Sequence, residues 1–113
     1  MAPQAGMPMS VPEIYDPVTN AWSLAGTMGT SRVGHTATLL LSGKVLVAGG
    51  FVYTGPSLAS TELYDPSTNT WSPGTNMTTP RDHHGAVLLP PGQVFVTGGQ
   101  NQGAALLSSE LYR

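Results

Sequence analysis

The chain has 113 residues, of which only four are basic and six acidic, for a net charge of −2. So few basic groups argue against a nucleic-acid partner, which needs clustered Lys and Arg, and so little charge overall argues against disorder. With no cysteine, disulfides and thiolate metal sites are excluded, and no apolar run approaches the roughly 20 residues that span a bilayer.

Residues 1–12 are rich in Pro, Ala, Gly and Met. They lack the basic and apolar regions of a signal peptide and are read as a flexible leader or the cut edge of a longer protein. From residue 13 onward the chain repeats itself. Tyr15-Asp16-Pro17 returns as Tyr64-Asp65-Pro66, Trp22 as Trp71, Arg32 as Arg81, His35 as His84, and Gly49-Gly50 as Gly98-Gly99, each 49 residues on. Residues 13–50 and 62–99 are identical at 20 of 38 positions, far above chance. A partial third copy ends the chain, where Glu62, Leu63 and Tyr64 recur as Glu110, Leu111 and Tyr112 at a spacing of 48. The lost residue falls after the Gly pair and marks that segment as a loop.

Within one copy, Gly34 to Leu41 is small, β-branched and apolar, and predicts a strand; Ser42-Gly43 is a turn signal. Lys44 to Ala48 predicts a second strand, closed by Gly49-Gly50, and a loop follows over 51–59. Thr61 to Tyr64 is a third strand. Asp65 to Asn69 supplies turn chemistry, because Pro presets φ and Asp and Asn bond the local backbone. Thr70 to Ser72 is a short fourth strand. No segment carries the 3.6-residue apolar period of a helix, so the chain reads as all-β. Val45 to Ala48 and the matching Val94 to Thr97 are nearly continuous in apolar residues, which predicts strands covered on both faces. Sheets stacked radially satisfy that demand.

The order Gly-Gly, variable loop, Glu-Leu-Tyr-Asp-Pro-x-Thr-x-x-Trp, Met, then Arg-x-x-His resembles the kelch repeat over residues 13–113. The resemblance implies a partial β-propeller of four-stranded antiparallel blades. Strand a covers 34–41 and 83–89, strand b 44–48 and 93–97, strand c 61–64 and 109–112, and strand d 70–72. Residues 13–15 and 21–23 are strands c and d of an earlier blade. The order is c-d, a-b-c-d, a-b-c, a two-blade segment that does not close a ring. The expectation is a fragment of a longer propeller, or copies joined head to tail, three giving six blades and four giving eight. Strands 13–15 and 109–112 then compete for one place.

The candidate residues follow. Trp22, Trp71, Tyr15, Tyr64 and Tyr112 are expected to pack between blades. Arg32 and Arg81 precede strand a. They either bond backbone carbonyls and an acidic neighbour such as Glu62, or, as the resemblance implies, offer a planar fork to acidic ligand groups. The b–c loops are the least similar parts of the two copies, and variable loops on a rigid scaffold carry recognition. Phe51 and Tyr53 are expected anchors there, Gln100 and Asn101 polar contacts, and His83 a further ligand contact. His35 and His84 are expected to be structural and no metal site is expected, because carboxylates and thiolates are missing beside them. No catalytic arrangement and no cofactor emerges. The resemblance extends to galactose-oxidase-like propellers, but their Cys–Tyr crosslink cannot form in a chain without cysteine. The expected role is an interaction module for a protein, peptide or glycan, with a ligand-free structural unit as the alternative.

Overall fold

The computed structural model of the chain describes residues 11–53 and 55–112. The leader expected over 1–12 therefore lies, apart from Val11 and Pro12, outside the described residues, as does Thr54 of the first b–c loop.

The Asp-Pro turns fold as their chemistry dictates. Asp16 Oδ1 accepts from the Val18 amide at 2.9 Å, and Asp65 Oδ1 from the Ser67 amide at 3.0 Å. Asn20 and Asn69 both take a left-handed φ of 55°, a conformation Asn tolerates better than most residues. In each turn a Tyr hydroxyl then donates to that Asn, Tyr15 to Asn20 and Tyr64 to Asn69, both at 2.6 Å. These turns make two c–d hairpins: β1 (Glu13–Asp16) with β2 (Ala21–Leu24), and β5 (Thr61–Asp65) with β6 (Thr70–Pro73).

The second hairpin joins β3 (Thr36–Leu39) and β4 (Val45–Ala48) in a four-stranded meander, β3-β4-β5-β6. A three-stranded sheet of order β11-β8-β7 follows, from β7 (Gly85–Leu89), β8 (Gln93–Thr97) and β11 (Ser109–Tyr112). The architecture is all-β, with blades in the predicted order c-d, a-b-c-d, a-b-c. Strand a is shorter than predicted in both copies. It begins at Thr36 and Gly85, because Gly34 and His83 turn the chain with φ of 71° and 53°. The second b–c loop holds a small hairpin of its own, β9 (Gln100–Asn101) and β10 (Ala104–Ala105). Gln102 and Gly103, with φ of 51° and 85°, form its tip; two positive φ values in a two-residue turn match the twist of the flanking strands.

The core lies between the two sheets. Leu46 and Ala48 of β4 meet Met77, Val94 and Val96, all buried. Burying a side chain of the Leu or Val class contributes on the order of 1.5–3 kcal/mol. The other face of β4, with Val45 and Val47, looks toward Ala25 and Met28 beside the first hairpin. Both faces of β4 are thus covered, as its unbroken apolar run predicts. Strand β8 differs: Val94 and Val96 are buried, but Phe95 and Thr97 are not, because their face meets no further sheet among the described residues.

The aromatic residues divide in the same way. Trp71 packs on Tyr64 with ring centroids 5.1 Å apart and donates its Nε1 hydrogen across to Ala25 O at 2.7 Å. Trp22 keeps the equivalent contact with Tyr15, at 5.2 Å, yet stays 65% exposed. Within this chain Trp22 therefore packs on Tyr15 alone, because among the described residues no blade stands before it. No described helix is long and apolar enough to cross a membrane.

Candidate functional site at the loop junction

Both arginines lie inside the sheets, and the structural role is the one they play. Arg32 donates from Nη1 to Gly49 O and Ser60 O (2.9 and 3.0 Å), and from Nη2 to Ser60 Oγ and Glu62 Oε2 (3.3 and 2.8 Å). Arg81 repeats the pattern with Gly98 O, Ser108 O, Ser108 Oγ and Glu110 Oε2. Both side chains are fully buried. Each guanidinium ties the end of strand b to the start of strand c, and no Nη is left for an outside anion. The expectation of Arg32 and Arg81 as ligand contacts is corrected for that reason. The Glu partners are held by the preceding turns as well. Glu62 accepts from the amides of Gly29 and Thr30, and Glu110 from those of Thr78 and Thr79. Burial pushes the Glu110 carboxyl up, but these amides and Arg81 outweigh it and hold it below its ordinary value.

His84 is also structural. Its ring crosses into the preceding blade, with Nε2 2.9 Å from Thr36 Oγ1. Burial and the Arg81 charge lower its pKa, and burial and Arg32 lower that of His35. A lowered pKa means that the folded chain prefers the neutral ring. The associated stability is fully present above the ordinary His value, about 6.5, and is lost as the pH falls below it. Thermal melts are therefore expected to show a lower midpoint at about pH 5.5 than at about pH 7.5. His84→Gln, which keeps a polar group but cannot be charged, should flatten that drop; an equally steep drop would remove His84 from the explanation.

The candidate site forms where three segments meet around Asp82, a residue that the sequence analysis did not single out. Asp82 is 3% exposed. Its Oδ2 accepts from Ser57 Oγ at 2.6 Å, and its Oδ1 from Gln100 Nε2 at 2.9 Å and from His83 Nδ1 at 2.7 Å. Ser57 Oγ accepts in turn from the Gln102 amide at 2.8 Å. One carboxylate thus holds the first b–c loop, the d–a segment and the second b–c loop together. Burial alone would raise the Asp82 pKa, but the bonds from Ser57, His83 and Gln100 win and lower it, so the group is ionised at neutral pH. Ser57, buried and bonded to the carboxylate rather than to a histidine nitrogen, is not arranged as a nucleophile.

The imidazole of His83 stacks on Phe51 with centroids 5.9 Å apart and planes 24° from parallel. Its side chain stays 60% exposed. His83 and Gln100 line an open depression of about 390 Å³ with Gly99, Gly103 and Ala105. Of the residues expected from the sequence, His83 and Gln100 line this depression, and Phe51 adjoins it through its stack on His83. Asn101 follows in β9, half-buried, and Tyr53 is half-exposed in the first loop. Among the described residues no group of three or more His, Cys, Asp or Glu is placed to hold a metal ion.

The missed signal was a difference between the copies. Val33, Gly34 and Phe51 correspond, 49 residues on, to Asp82, His83 and Gln100. The backbone bridge is the same in both: Val33 and Phe51 exchange two N–H···O bonds, and so do Asp82 and Gln100. Only the side-chain chemistry changed.

Against known families, residues 32–78 match the model of the Kelch motif. No curated protein matches the chain.

Proposed function

Starting from residues 32–78 as a member of the kelch-repeat family, we propose that this propeller segment is an interaction module that binds through the loop junction around Phe51, His83 and Gln100. The observation that carries this reading is the Asp82 carboxylate. It fixes loops from two blades in one place, so their exposed groups form a preorganised surface rather than two mobile loops. The ligand class is a protein, peptide or glycan, and the role is recognition without catalysis. Phe51→Ala and Gln100→Ala should each weaken ligand capture on peptide and glycan arrays about tenfold or more, by loss of an anchor. Capture that survives both substitutions would move the binding surface elsewhere.

A second reading concerns ring completion. The β1–β2 hairpin is a two-stranded sheet, and the sheet of β7, β8 and β11 has no strand d among the described residues. Residues 13–24 match 62–73 in kind, so a hairpin from another copy suits the c–d place of this sheet, where β11 now pairs with β8. Glu13 would take the place of Glu110 against Arg81, and Trp22 would reach Gly74 O, the counterpart of Ala25 O. In this assembly β11 yields its place to β1. Three or four copies would give six or eight blades, and light scattering should report three or four times the chain mass. A monomer at all concentrations rules the assembly out.

A further inference from the structure

We infer that the loop junction takes an uncharged, hydroxyl-rich ligand, a saccharide, with its hydroxyl groups donating to His83 Nε2 and Gln100 Oε1 and its ring lying against the Phe51–His83 stack. The inference rests on the interaction-module reading and adds the ligand chemistry. Asp82 Oδ1 can only accept, so the hydrogen between the two side chains sits on His83 Nδ1, the tautomer that leaves Nε2 as an acceptor. Its Nε2 is then a fixed lone pair at the depression. Gln100 gives its amide hydrogen to the same carboxylate, which leaves Oε1 as a second acceptor. The site therefore asks for donors.

A charged ligand finds no partner there. The Asp82 carboxylate is 4% exposed and already accepts from three side chains. Arg32 and Arg81 are fully buried and committed to Glu62 and Glu110. The lining otherwise consists of Gly99, Gly103 and Ala105, which leave room but supply no charge. Hydroxyl donors beside an aromatic plate match this composition.

The first copy acts as an internal control on a merely structural role. It builds the same bridge from Val33 and Phe51, with Gly34 where the second copy has His83. His83 holds a φ of 53°, a region a non-glycine residue enters at a cost. The scaffold thus closes without Asp, His and Gln at these positions, and the second copy carries a strained His that the fold does not require.

The test uses the residues that the first copy carries at these positions, His83→Gly and Gln100→Phe, each made with Asp82→Val so that the first copy's Val33 environment is reproduced and no buried carboxylate is stranded. Uncharged gluco-, manno-, galacto- and xylo-oligosaccharides, acidic oligosaccharides and peptides are the probes, with the full chain on the array and in titrations. The expected result is binding of an uncharged oligosaccharide that weakens at least about tenfold in each variant, while the melting temperature moves by less than about 5 °C. Long-range ¹⁵N–¹H spectra should place the His83 proton on Nδ1 and show Nε2 shifting on saccharide addition. Peptide capture that depends on His83, with no saccharide bound, overturns the ligand class and leaves the module reading standing. Saccharide binding unaffected by His83→Gly overturns the siting. Silence from every probe overturns both.

Discussion

Replacing Arg32 with Ala is expected to unfold most of the chain at room temperature rather than to abolish binding in a folded protein. The guanidinium has no exposed surface and the Glu62 side chain only 10%. Deleting the cation leaves that carboxylate without its charge partner, takes the guanidinium donors from Gly49 O and Ser60 Oγ, and leaves Ser60 O with the Gly49 amide alone. Removing one member of a buried ion pair costs about 3–5 kcal/mol, against a total stability on the order of 5–15 kcal/mol for a domain. Arg32→Lys should fall between, because an ammonium cannot reproduce a fork that reaches two carbonyls and a carboxylate together. Adding Glu62→Gln to Arg32→Met should recover part of the loss by removing the stranded charge. Denaturant midpoints check all three. If Arg32→Ala melts like the parent, the side chain is free for a ligand after all.

The second large effect is expected at Gly49. Its φ is 67°, so any side chain there meets left-handed strain of about 1–2 kcal/mol. An added Cβ would also collide with Arg81 O of the next blade and lie 2.8 Å from His84 Cε1 and 3.0 Å from Met77 Cε. The Arg81 carbonyl is the acceptor for Gly50 N, at 2.9 Å, so the clash pushes the two sheets apart at a hydrogen bond and at the core together. Gly49→Ala should cost more than about 3 kcal/mol, the sum of strain and overpacking. Gly98 supplies the control. It has the same φ of 67°, and the nearest atom to an added Cβ is Leu106 O at 4.0 Å. Gly98→Ala should therefore show the conformational cost alone. Equal losses at the two sites would mean that the approach of the neighbouring blade contributes nothing.

The repeat made most of the fold legible. A spacing of 49 residues, the Gly pairs and the Asp-Pro turns place nearly every strand, because strand and turn signals are local. The ends of strand a were misjudged since His83 reads as an ordinary strand residue, and only the bridge between Asp82 and Gln100 bends it into a left-handed turn. The β9–β10 hairpin is not legible in the sequence, because its two-residue strands carry no alternation long enough to read. At the site, Phe51, His83 and Gln100 were visible as variable-loop or exposed candidates. Their companion Asp82 was not, since a lone acid beside two histidines announces no partner until the chain brings Ser57 and Gln100 to it.

By itself the sequence determined the all-β class, the blade order and the turns, because periodicity and turn chemistry act over a few residues. It left open whether Arg32 and Arg81 face a ligand or the sheet. Tertiary structure decided that, burying each guanidinium against carbonyls 17 and 27 or more residues away in the chain. It also decided that three unlike loop residues would share one carboxylate. Those outcomes depend on distances across blades, and a pattern along the chain does not encode distance.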